Sequence, residues 1–251
     1  MSKYLLILFS LLLNFVLAAQ VNTEKFRSLE KNKGLSGAME LEGSFKSGNE
    51  DEMLLDIETL FNYKFANSKL LFVLNGEYNL TDDEEFSNAG LFHTRFVQNF
   101  GKNFAVEMFF QINFDLVRLI DFRELAGANL RYSVLSDSSL NWFTGAGVMQ
   151  EYEKLSEKVK SVERESTIGR GNFYTTISKE FDNVKLSFVT YFQPNVTKLY
   201  DHRWLVETSA IFGVNKVLSF ALNMVYRYDN DPPVEVLKRD LEITAGVILE
   251  I

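Results

Sequence analysis

Three observations predict an all-β chain closed into an antiparallel transmembrane β-barrel of about twelve strands, of the outer-membrane type. Apolar residues recur at every second position in segment after segment from Leu35 to Ile251, which is the period of a strand with one apolar face. The links between these segments alternate between short and long, as in a barrel with tight turns at one end and loops at the other. After an N-terminal leader, no stretch approaches the roughly 18 continuous apolar residues of a membrane helix. A chain of this kind crosses a membrane only as strands whose backbone groups pair around a closed sheet.

The leader comes first. Lys3 precedes an almost wholly apolar run from Tyr4 to Leu17, and Ala18 and Ala19 supply small residues for cleavage after either one. Residues 1–19 read as a secretory signal peptide, too short for a comfortable membrane span. Residues 20–34 are polar and read as a flexible lead-in, and residues 35–251 form the barrel. The chain has no Cys, which excludes disulfides, a lipid-anchored mature N-terminus and any thiolate metal site. A formal charge of -8 argues against nucleic acid as a partner. The 23 Phe and 10 Tyr suit a surface that is apolar on the outside.

From Leu35, one face carries Met39, Leu41 and Phe45, and the other Ser36, Glu40, Glu42 and Ser44. Ser47, Gly48 and Asn49 turn the chain. The second strand sets Leu55, Ile57, Phe61, Tyr63 and Phe65 against Asp56, Glu58, Asn62 and Lys64. The third sets Leu70, Phe72, Leu74 and Tyr78 against Asn75, Glu77 and Asn79. The fourth, near Asn88 to Gln98, has Phe92 and Phe96 outward with His93 and Arg95 inward. The fifth is the cleanest, with Phe104, Val106, Met108, Phe110, Ile112 and Phe114 opposed by Glu107, Gln111, Asn113 and Asp115. The sixth sets Ala126, Ala128, Leu130 and Tyr132 against Arg123, Asn129 and Arg131, and the seventh runs from Leu140 to Tyr152. Four more fit near Arg170–Ser178, Val184–Gln193, Arg203–Phe212 and Val217–Tyr228, before a last strand from Asp240 to Ile251. That last strand ends on an unbroken apolar face, an aggregation hazard unless it closes against the first. Outer-membrane lipid on the outside and the barrel-assembly machinery, acting through this strand, are the expected partners of a monomer.

Short turns are expected at Ala66–Lys69, Phe100–Asn103, Ser136–Ser139, Phe181–Asn183 and Gly213–Lys216. The longer links are Thr81–Ser87, Val117–Phe122, Glu153–Gly169, Asn195–Asp201 and Asp229–Arg239. Rings at strand ends, such as Trp142, Tyr152, Trp204, Tyr226 and Tyr228, suit the headgroup level of a bilayer.

Function has to be written on the inward face. Glu40, Glu42, Asp56, Glu58, Glu77, Glu107 and Glu242 give it acids, and Arg95, Arg123, Arg131, Arg170, Lys185, Arg203 and Arg227 give it bases, with His93 between. One reading is a narrow pore with a transverse field across it. The other is an envelope structural or adhesive barrel whose lumen is filled by side chains that pair across it, since small barrels fill their interiors and unpaired buried charge is costly. Both stay open at the level of sequence. A lipid hydrolase is a further alternative, but neither His93 nor His202, beside Asp201, has a Ser in a matching local motif. The acidic run Asp82–Glu85 and the mixed run Glu153–Glu165 read as solvated loops. No metal site, no cofactor and no enzymatic activity is expected.

Several stretches in order resemble one family, the YdiY-like salt-induced outer-membrane proteins, domain-of-unknown-function family 481. Gly48 and Asn49 resemble its first turn, and Arg123 with Gly127, then Gly145 and Gly147, its central strands. Gln193 and Pro194 with Asp201 and Arg203 are similar to its aromatic-Gln-Pro and Asp-x-Arg pattern, and Pro232, Pro233 and Asp240 to its last loop. The resemblance spans Leu35 to Ile251. It implies an outer-membrane barrel and no defined activity. The final residue, Ile251, departs from the aromatic with which such barrels commonly end.

Overall fold

The computed structural model describes residues 33–46, 52–81, 85–137, 139–160, 163–233 and 236–250. It contains twelve strands: β1 (Gly34–Lys46), β2 (Glu52–Phe65), β3 (Ser68–Thr81), β4 (Glu85–Phe100), β5 (Phe104–Asp115) and β6 (Ile120–Ser136), followed by β7 (Leu140–Leu155), β8 (Glu165–Phe181), β9 (Val184–Pro194), β10 (His202–Gly213), β11 (Leu218–Asp229) and β12 (Arg239–Glu250). Each strand pairs antiparallel with the next, and β12 returns to β1, so the sheet closes into a barrel. Closure removes the two sheet edges that an apolar strand could not expose safely. No helix among the described residues is long and apolar enough to cross a membrane. The leader, most of the lead-in, Gly48, Asn49, Asp82 to Glu84 and Ile251 lie outside the described residues.

The period-two pattern sorts the side chains. Leu74, Met108, Leu130, Val148, Leu222 and Ile243 are among the large apolar residues left exposed around the outside. An exposed apolar belt of this extent is a membrane surface. Ring pairs stand at both rims. Tyr63 stacks with Phe65, and Phe104 meets Tyr132, at the end of the short turns. Phe122 meets Tyr152, and Phe192 meets Trp204, at the other end.

Three expectations about links are corrected. The β5–β6 link is only 116–119, because Ile120, Asp121 and Phe122 already belong to β6, in which Arg123 pairs with Glu153. The β7–β8 loop shrinks to 156–164, because Glu153 pairs with Ser166 and Lys154 with Glu165. Glu153 is therefore a wall residue, 7% exposed, and not part of a solvated loop. β4 likewise begins at Glu85, inside the expected Thr81–Ser87 link. The difference has one cause. Strand pairing continues beyond the apolar belt, where alternation fades but the ladder still satisfies backbone groups.

Candidate functional site: a closed lumen beneath a charged cup

The inward face is built in three layers. Toward the short turns one layer of it is apolar, with the buried polar Asn62, Lys69 and Ser219 between that layer and the turns. Ala38, Leu60, Leu71, Val73, Val97 and Ala105 from β1 to β5 meet Ile211, Ala221 and Ile248 from β10 to β12 in one cluster. Phe109, Leu125 and Met149 on one side, and Tyr174, Val189 and Tyr191 on the other, form two separate apolar clusters further toward the loops. Leu60, Leu71, Val73, Val97 and Ile248 are at most 1% exposed. A water-filled pore would leave such inward residues wet, so this end of the barrel is packed like a protein core.

Above it lies a buried polar layer. Glu40, His93, Glu107 and Asn172 are 0% exposed. Tyr174 donates its hydroxyl to Glu107 Oε2 at 2.7 Å, across the lumen from β8 to β5, and Arg131 pairs with the same carboxylate at 2.9 Å. Arg131 also lies over the Phe143 ring at 5.1 Å, and Arg95, 5% exposed, is buried in the same layer. His93 Nδ1 is 3.2 Å from Gln111 Oε1, and its ring stacks on Phe109. Asn172 donates to Asn129 Oδ1 at 3.0 Å and accepts from Gln193 at 3.3 Å. Asn223 donates to both Glu40 and Glu42, at 2.8 and 2.9 Å.

Glycines make room for this crossing. Gly145 faces inward, and a Cβ there would occupy the Tyr174 ring; at Gly147 it would run into the Ala128 carbonyl and Asn129. The wall of β6 and β7 is thin where the opposite wall's side chains need to lie across it. Gly127 similarly admits Phe109.

The third layer, toward the loops, is charged and half-open. Arg170, 1% exposed, donates to Glu151 at 3.2 Å, Asp201 at 2.9 Å and the Gln193 carbonyl at 3.3 Å. Arg203 reaches Glu151 at 2.5 Å and Asp229 at 2.6 Å, and Arg123 pairs with Glu153. Three guanidiniums and four carboxylates thus tie together β6, β7, β8, β10, β11 and the β9–β10 loop. Arg227 pairs with Glu242 at 2.9 Å, and Arg118 with Asp115 and Asp240. This layer encloses a cavity of about 580 Å³ whose lining includes Glu42, Asp56, Glu77, Arg123, Arg203 and the overhanging Pro232 and Pro233.

Of the residues expected to line the lumen, Glu40, Glu42, Glu58, His93, Arg95, Glu107, Arg131 and Arg170 are buried, and Asp56, Glu77, Arg123, Lys185, Arg203, Arg227 and Glu242 are half-buried. All sit on inward positions. The transverse field of the open-pore reading gives way to local pairing. Glu151, Glu153, Asp201 and Asp229 neutralise the arginines on their own wall, and Glu151, Glu153 and Asp229 had no place in the sequence reading of the lumen. Their signal was the continued alternation Met149, Glu151, Glu153 beyond the apolar part of β7. The two His residues are far from forming a hydrolase site. His93 is sealed in the lumen. His202 sits on the rim beside Phe192 and Tyr228, with Nδ1 2.8 Å from the Tyr200 carbonyl oxygen. Asp201 serves Arg170 and Asn195 instead of His202.

The family described as "Protein of unknown function, DUF481" matches residues 39–251. No curated protein matches the chain. Among solved structures, the NanC porin is similar with a TM-score of 0.54 at 10% identity, covering 85% of this chain and 100% of that one. The translocator domain of the autotransporter NalP from Neisseria meningitidis gives 0.47 at 10% identity, over 90% and 92% of the two chains. A porin refined at 1.8 Å gives 0.43 at 8% identity, over 86% and 99%. At such identities the likeness to the NanC porin speaks to fold alone, a closed barrel of the outer-membrane type.

Proposed function

The chain belongs to the DUF481 family, and from that premise we propose that it is an integral outer-membrane barrel with a sealed lumen. It serves as an envelope component that presents a charged cup on its loop side, and not as an open channel for small solutes. The barrel fold, the exposed apolar belt and the leader support export and insertion into the outer membrane, with the short turns in the periplasm. The ordered motifs through Gln193–Pro194, Asp201 and Arg203 support a place in the YdiY-like, salt-induced branch. In lipid the protein is a monomer, folded through its C-terminal strand by the barrel-assembly machinery.

One observation carries the sealed-lumen reading: inward residues from strands all around the barrel, among them Leu71, Val73, His93, Glu107, Tyr191 and Ile248, are at most 2% exposed. The narrow-channel reading would make the cup a mouth, but it would need a wet path below Glu40 and Glu107. The hydrolase reading gains no support from His93 or His202. Single-channel recording in planar bilayers tests the assignment. The wild-type barrel is expected to stay silent, and sustained open-channel steps would establish a pore in its place.

A further inference from the structure

The outer wall carries a groove of about 540 Å³ across β6 to β10. Leu130 and Tyr132 of β6 close one end, and Phe192 of β9 with Trp204 of β10 close the other. Between them the wall is low. Ala146 stands opposite Leu130 and Phe173, and Thr144, Thr175 and Thr190 stand side by side on β7, β8 and β9. The two ends lie at different heights, because tilted strands carry a cross-strand row obliquely up a barrel. Tyr132 belongs to the ring pair at the short-turn rim, and Phe192 and Trp204 to the pair at the loop rim. The groove therefore climbs through the apolar belt from one girdle to the other. Its floor is small without being polar. Thr144 donates its hydroxyl to the Tyr174 carbonyl at 3.0 Å, and Thr175 to the Phe143 carbonyl at 3.1 Å. Thr190 differs. Its Oγ1 has no hydrogen-bond partner, and it stands one outward position below Phe192 on β9.

We propose that this groove holds one acyl chain of a lipid from the loop-side leaflet, its ester carbonyl at Thr190 and its tail running down toward Tyr132. A hollow at hydrocarbon depth forfeits dispersion contacts, and a flexible chain laid between the rings restores them. A hydroxyl left alone in hydrocarbon is costly, and an ester carbonyl is the acceptor a lipid brings to that depth. The head group then stands at the level of Trp204 and His202, which both pack against Phe192. A second copy of the chain does not fit the groove as well. A stable interface takes about 20–30 residues a side, far more than line it. The inference rests on the belt being a membrane surface and is independent of the sealed lumen.

The test uses the full chain in phosphatidylcholine vesicles with a trace of phosphatidylcholine carrying a photoactivatable diazirine on one acyl chain. Peptide mapping after photolysis should find adducts on β7 to β9 about tenfold above those on the outward Phe72 and Leu74 of β3. Ala146→Phe fills the groove and should abolish the excess, and Thr144→Leu replaces it if that variant does not fold. Val148→Phe, on the same strand but outside the groove, should leave the excess intact. Thr190→Val should lower it by about threefold to tenfold, as loss of one hydrogen bond would. Adducts spread evenly around the belt, or an excess that ignores Ala146→Phe, would overturn the acyl-chain site. A dimer in the bilayer that Ala146→Phe dissolves would overturn it in favour of a second copy. A chain that does not enter vesicles at all would overturn the membrane reading together with the groove, so the two failures are told apart.

Discussion

Arg170 is the residue on which the charged layer turns. It is 1% exposed and held between Glu151 and Asp201. Arg170→Met would leave two buried carboxylates short of a partner, a change that costs about 3–5 kcal/mol when a buried pair is broken. Urea titration in lipid vesicles, followed by the mobility shift of the folded barrel on unheated gels, should show that loss. Arg170→Met with Glu151→Leu should lose less than the two single changes together. Tyr174→Phe removes one hydrogen bond to Glu107 and should cost about 1.5–3 kcal/mol, the range for bonds to charged groups. Gly147→Ala should be worse tolerated than Gly145→Ala. At Gly147 the new methyl meets the backbone of Ala128, whereas at Gly145 it meets the ring of Tyr174, which can turn away. Alternation in the sequence was enough to assign Arg170 and Glu107 to the inward face. It could not show which partners they meet, because Tyr174 and Glu107 come together across the lumen and no local pattern encodes that distance.

At the scale of elements, strand number and direction were legible because lipid on one side forces strict alternation. Strand ends were less so. Once a strand rises past the apolar belt its outer face no longer needs to be apolar, and β6, β7 and β8 run on through residues such as Asp121, Lys154 and Glu165. The apolar floor had a readable signal of its own. At the short-turn ends the alternation collapses into continuous runs such as Leu70–Leu74 and Val247–Leu249, the mark of strands apolar on both faces. The turns there are chemically defined. Asp137 accepts the backbone N–H groups of Leu140 and Ser139, both at 2.8 Å. Those bonds hold its carboxyl below the ordinary carboxylate range. A carboxyl depressed in the folded state stabilises above its unfolded pKa, and the benefit is lost as pH falls through the folded value. Asp137→Ala should therefore lower stability at neutral pH, and the difference from wild type should shrink toward zero in strongly acidic buffer.

For the whole molecule, the floor and the cup divide the barrel into a sealed half and a solvated half. Leu71→Ala, Val73→Ala and Ile248→Ala together remove the centre of the apolar layer, and Leu→Ala alone typically costs about 2–5 kcal/mol in a core. If this layer seals the lumen, the triple variant should show small ion steps in planar bilayers where the wild type is silent, with a lower unfolding midpoint in urea. A folded but silent variant would place the seal in the polar layer of Glu40, His93 and Glu107 instead.

The apolar floor also sets the order of assembly. Its central cluster joins Ala38 of β1 to Ile248 of β12, residues near opposite ends of the chain, so it cannot form from any growing hairpin. Contacts of such long sequence separation come late and slowly in folding. Until β12 docks, Leu60, Leu71, Val73 and Val97 have no cover, and the half-formed sheet carries exposed apolar surface on both faces. A partly folded intermediate of this chain is therefore stickier than that of a water-filled barrel and depends more on escort before insertion. Closing the sheet and drying its interior become a single late kinetic step.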